Sequence, residues 1–159
     1  MKTVLTIEES QRLIDLGVDP KLASMVSWKQ TQNWERKSVL PNKEHLSSKP
    51  FEPIVMGFER FEVKDVFTLA DILSILPKEI GHMRILTINS TDTLYFAFYA
   101  HWEKEYMDSC EEKVIHGIND KAFSAPELID ALYELLIWCL EQKIIKLKEY
   151  ETSIPADTI

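Results

Sequence analysis

The sequence predicts an α+β fold in which helices cover an antiparallel sheet, and three observations predict it. RILTINSTDTLYFAFYAHW reads as a β-hairpin near 85–102: two arms rich in β-branched and aromatic residues flank a small, polar turn. FTLADILSILPKEI and FSAPELIDALYELLIWCLEQK read as helices near 69–76 and 125–143. Strand-like and helical segments do not alternate regularly, which disfavours a parallel doubly wound sheet.

From the N-terminus, TIEESQRLIDLG carries a capping box, Thr6 with Glu9, and Gly17 suits the left-handed position after a helix. Asp19 as N-cap and Pro20 at the first helical position predict a second short helix through about Met25. This short N-terminal helical pair resembles a helix-turn-helix in outline; a pair packed at the edge of the core is the preferred reading. Val26, Trp28, Gln30, Gln32 and Trp34 share one side if extended, so a strand with two aromatic anchors follows. Residues 40–53, rich in proline and without period, are expected to form an irregular loop. IVMGFERFEV reads as a short strand or hairpin arm.

Thr68 and Asp71 then form a capping-box-like start. Leu69, Ile72, Leu73 and Leu76 fall on one helical face, and Pro77 stops the helix near Leu76. After the hairpin, EKEYMDSCEEK is acidic and expected to be solvated. Ser124 is expected to cap the last helix, with Glu127 completing the box, and 152–159 is expected to be a flexible tail.

That last helix is apolar around most of its circumference. Glu127, Asp130, Glu134 and Glu141 collect in one narrow sector, and apolar residues fill nearly all the rest. A one-sided surface helix needs an apolar arc of only about 100°. The helix therefore needs cover from two directions, supplied by its own chain or by a second copy. Leu128, Leu132, Leu136, Cys139 and Leu140 are expected to be buried. Trp138, beside the charged sector, is expected at an interface or half-exposed, which leans towards a weak homodimer.

At 159 residues the chain fits a single domain, 1–159. Its net charge of -8 argues against a general nucleic-acid coat. Cys110 and Cys139 read as a reduced pair. Neither a signal-like N-terminus nor a membrane-spanning run of about 20 apolar residues is visible, so a cytoplasmic location is expected.

Glycine stands only at 17, 57, 81 and 117, so no phosphate-cradling loop can be written. The common zinc spacings and the G-x-S-x-G elbow are absent as well. These absences favour a non-enzymatic role with no cofactor. The best catalytic candidate is HWEKEY. On a strand, His101, Glu103 and Glu105 share a face and are able to hold a divalent metal or pair a base with an acid, as a small metal-dependent enzyme requires. A deaminase-like H-x-E reading fails for want of P-C-x-x-C. A wet, acidic strand edge is the preferred reading.

The second candidate is Ser27–Lys49. It sets Lys29, Arg36, Lys37, Lys43 and Lys49 against Glu35 and Glu44, a local +3 that leaves -11 elsewhere. Trp28, Trp34, Arg36 and Lys37 suit weak stacking on single-stranded nucleic acid, or docking onto an acidic protein. A core tryptophan face beneath snorkelling cations is preferred. With Trp138 these are the candidate interface residues.

The blocks LTIEESQRLIDLGVDPKLASM, FTLADILSILPKEI and ELIDALYELLIWCLEQKIIKL, with TLADILSILPKEI and LIDALYELLIWC the most specific, cover roughly half the chain. They resemble a group of small uncharacterised proteins encoded by gut anaerobic bacteria, often in their phages and mobile elements. The resemblance implies an accessory role on a mobile element, with no activity, cofactor or functional residue to carry over. The overall expectation is an interaction or assembly protein whose partner is another protein or itself.

Overall fold

A computed structural model describes residues 1–32, 43–52, 60–81, 84–107, 110–118 and 122–145. Over 101–107 and 110–118 the description is of the backbone. The described residues form an α+β fold of three α-helices and two antiparallel sheets. They gather in two compact units: Val4–Asp71, and Ile72 onward together with Met1–Thr3.

The first unit opens with α1, Ile7–Asp15, held by the predicted capping box. The Glu9 N–H donates to Thr6 Oγ1 and the Thr6 N–H to Glu9 Oε1, both at 3.1 Å. Gly17, at φ 108°, ends the helix. Its N–H donates to the Ile14 carbonyl and that of Val18 to the Leu13 carbonyl, each at 3.0 Å, as a Schellman cap requires.

The second predicted helix is only one 3₁₀ turn, Pro20–Leu22. Ala23 is already extended, and the Ser24 N–H donates to Asp71 Oδ2 at 2.9 Å instead of back along a helix. The chain then enters β1, Met25–Gln32, the predicted tryptophan strand as far as it is described. Strands β2, His45–Ser48, and β3, Arg60–Val66, flank it in the order β2-β1-β3. The expected loop over 40–53 thus contains a strand. HLSS shows no apolar alternation, and its pairing comes from the backbone of β1. Helix α1 packs on β3, where the Phe67 N–H donates to the buried Ser10 Oγ at 3.2 Å.

Helix α2, Leu69–Ile75, begins with the predicted Thr68–Asp71 box and ends before Pro77. The second unit then builds β4 (Glu79–Ile80), β5 (Arg84–Ser90), β6 (Tyr95–Met107), β7 (Cys110–Ile118) and β8 (Phe123–Ala125). Their order is β4-β5-β6-β7, with β8 also on β6, so the predicted hairpin lies at the centre. The described parts of the acidic segment after the hairpin belong to the sheet: β6 runs on to Met107, and β7 begins at Cys110.

Helix α3 spans Leu128–Glu141 and lies on β6 and β8. Glu127, not Ser124, is its N-cap, because Ser124 is spent pairing with Phe96 in the sheet. The Glu127 carboxylate instead accepts the Lys2 backbone N–H at 3.1 Å, and Lys2 Nζ reaches Asp130 at 2.7 Å. Leu132, Leu135, Leu136 and Cys139 are fully buried, each leucine contributing about 1.5–3 kcal/mol of burial. Leu140 is buried too, Leu128 half-buried. The apolar arc is met within one chain, so the helix itself does not require a second copy. No helix among the described residues is long and apolar enough to cross a membrane.

Candidate functional site

The small sheet of the first unit carries the aromatic surface. In the antiparallel register Trp28 of β1 stands between His45 of β2 and Val63 of β3, so the three share a face. The next row on that face pairs Gln30 with Phe61. The Trp28 ring stacks on His45 (centroids 4.5 Å, interplanar angle 23°) and on Phe51 (5.4 Å, 25°). Phe61 meets it edge-on at 5.9 Å. The indole N–H donates to Ser47 Oγ at 2.9 Å, which satisfies its polar end and fixes its direction. Trp28, His45, Phe51 and Phe61 are half-buried, and Val63 is 45% exposed. The cluster therefore keeps an open apolar edge at Val63.

Three described lysines of this unit are paired with acids. Lys29 lies opposite Glu62 in the ladder and reaches it at 3.4 Å, while Lys64 reaches the same carboxylate at 3.1 Å. Lys64, with Lys29 second, holds the exposed Glu62 carboxyl below its usual range. Lys49 pairs with Asp65 at 2.6 Å and donates to the Pro20 carbonyl. Pairing of this kind spends the positive charge that a phosphate backbone needs. A shallow depression beside Trp28, lined by Ser27, Lys29, Glu44, Glu62 and Lys64, offers about 20 Å³. Small-molecule pockets run to about 300 Å³ or more, so it is no substrate cleft.

Trp34, Arg36 and Lys37 lie outside the described residues. Trp138 belongs to the second unit, where it is half-buried and tilted against Phe123 at 6.4 Å. His101, Glu103 and Glu105 do fall on one strand, β6, and alternate along it as a shared face requires. Among residues whose side chains are described, no three or more His, Cys, Asp or Glu lie together as a metal site would need. Sequence reading found Trp28 but missed His45, Phe51 and Phe61 as its partners. Their register across three strands is invisible in a linear pattern; only the FERFEV alternation hinted at Phe61.

In the second unit, the Tyr99 hydroxyl donates to the Pro77 carbonyl at 2.7 Å. Burial, then the neighbouring Cys139, raises its pKa above the usual tyrosine range. Burial likewise pushes the Cys139 thiol up to about 11, against a hydrogen bond with Tyr99 that lowers it. A buried thiol so far from ionisation is a core group, not a nucleophile.

No family model matches the chain, and no curated protein and no solved structure matches it.

Proposed function

We propose that this chain is a non-enzymatic interaction or assembly protein, an accessory of a phage or mobile element, which docks another protein on the aromatic face of its three-stranded sheet. The observation that carries the reading is Trp28, held in one orientation by Ser47, His45 and Phe51 while its row remains open at Val63. Pre-set aromatic anchors with exposed apolar rims are the usual energetic centre of protein interfaces. The partner is apolar where it meets this face. The ion-paired lysines speak against single-stranded nucleic acid as the ligand. The apolar arc of α3 is covered within the chain, and Trp138 is half-buried beside it. Affinity capture with the wild type and with Val63→Glu tests the reading, because Val63 is exposed and its replacement leaves the core alone.

A further inference from the structure

The second sheet leaves one edge open along β5. Its short neighbour β4 pairs with Arg84 and Ile85, and just beyond them the Leu86 N–H donates to the Lys78 carbonyl at 2.9 Å. The backbone groups of Leu86 therefore point away from β6. After the far end of the strand, the Thr91 N–H donates across the hairpin to the Leu94 carbonyl at 2.8 Å. Between these two bonds the β5–β6 register runs without a shift. Alternation then turns the backbone groups of Thr87 and Asn89 inward to β6, and aims the N–H and C=O groups of Ile88 and Ser90 outward. No described group meets them there. Ile88, Asn89 and Ser90 are exposed. An open edge of this kind is a template for another strand, and natural edges are commonly blocked by lysine, proline or a bulge. From Ile85 to Thr91 the strand carries no charge and no proline.

We propose that this edge pairs with the same edge of a second copy of the chain, antiparallel about a two-fold axis at Asn89. In that register Ile88 of each copy exchanges both backbone bonds with Ser90 of the other, so the outward groups of the open stretch are satisfied. Centring the axis on Ile88 instead would set Ser90 against Leu86, whose N–H is already given to Lys78. The axis also sets Asn89 against Asn89, a non-hydrogen-bonded pair whose side chains approach closely and whose amides are self-complementary. A second copy fits this edge because it brings the same outward groups at the same spacing, with no like charge to repel. Contact along so few residues falls short of the roughly 1,200 Å² that stable interfaces bury, so the dimer is weak and reversible.

Sedimentation velocity of the purified chain, from the low micromolar range to near millimolar, tests the pairing. The wild type shifts from monomer towards dimer as concentration rises. Asn89→Lys and Asn89→Glu each weaken the dimer about tenfold or more, because the axis sets like charges face to face. Mixing these two variants restores association, since opposite charges then meet. Amide exchange of the wild type needs no variant: protection of the Ile88 and Ser90 N–H groups grows with concentration, while that of Asn89, bonded within the hairpin, does not. A wild type that stays monomeric throughout, variants that associate like the wild type, a mixture no tighter than either variant alone, or Ile88 and Ser90 exchange indifferent to concentration overturns the proposal.

Discussion

Ser24 and Asp71 are joined twice: Asp71 Oδ2 accepts both the backbone N–H and the hydroxyl of Ser24, each at 2.9 Å. The same oxygen takes the Thr68 N–H, also at 2.9 Å, while the Asp71 N–H donates to Thr68 Oγ1 at 3.2 Å. One carboxylate thus caps α2 and anchors the entry to β1, with only 9% of its residue surface exposed.

Asp71→Ala is expected to destabilise the protein by about 3 kcal/mol, because it strands several partly buried donors at once. Asp71→Asn keeps one acceptor and should lose less. Urea denaturation followed by far-UV circular dichroism measures both; a loss within about 0.5 kcal/mol for the alanine variant, typical of surface sites, would remove Asp71 from this role.

Lys143 adopts φ 57°, the left-handed conformation that follows α3 in a Schellman cap. The Ile144 N–H closes it on the Cys139 carbonyl at 2.9 Å. Gly17 does the same work after α1 without a Cβ. Lys143→Gly is therefore expected to stabilise by about 1 kcal/mol, as the left-handed penalty of a side chain is relieved. Gly17→Ala is expected to destabilise. Thermal melts that move in the opposite directions would contradict the cap assignment.

Stability should fall at alkaline pH. Cys139 ionises near 9.0 when unfolded and near 11 when folded, so between those values the folded state holds the extra proton. The unfolded state then binds fewer protons, and the free energy of unfolding drops as pH rises. The contribution is fully present below pH 9 and is lost through pH 11. Tyr99, raised in the same direction, extends the loss above its usual range. Urea midpoints at pH 8, 9.5 and 10.5 should descend, and Cys139→Ala should descend less from its own pH 8 value. Parallel slopes for the two proteins would exclude the thiol.

Much of this fold was legible because capping chemistry is local. Thr6 with Glu9, Thr68 with Asp71, and Gly17 each lie within one helical turn of what they cap, and the residues announce the geometry. The central hairpin was legible for a similar reason, its turn standing between two β-rich arms. Ser124 shows where locality fails. Its cap-like context is genuine, but backbone pairing with β6 takes it first. Met25 is similar, drawn into a strand by β2 and β3. β7 was hidden by charge, since acidic residues on an extended ribbon look like a solvated loop. The candidate site was half legible: Trp28 stood out, whereas His45, Phe51 and Phe61 join it only through cross-strand register.

Docking of another protein on the Trp28 face is read out by quantitative affinity capture from the cells that encode this chain. Wild type, Val63→Glu and the control Ile88→Glu in the other unit are compared under identical conditions, each first shown to unfold at a similar urea midpoint. Val63 and Ile88 are comparably exposed, at 45% and 39%, and only Val63 lies in the Trp28 row. One protein is expected to be captured near equimolar ratio by wild type and Ile88→Glu and lost with Val63→Glu, its direct binding to purified wild type then confirmed by sedimentation. Equal capture by all three proteins, or no near-stoichiometric partner for the wild type, contradicts it.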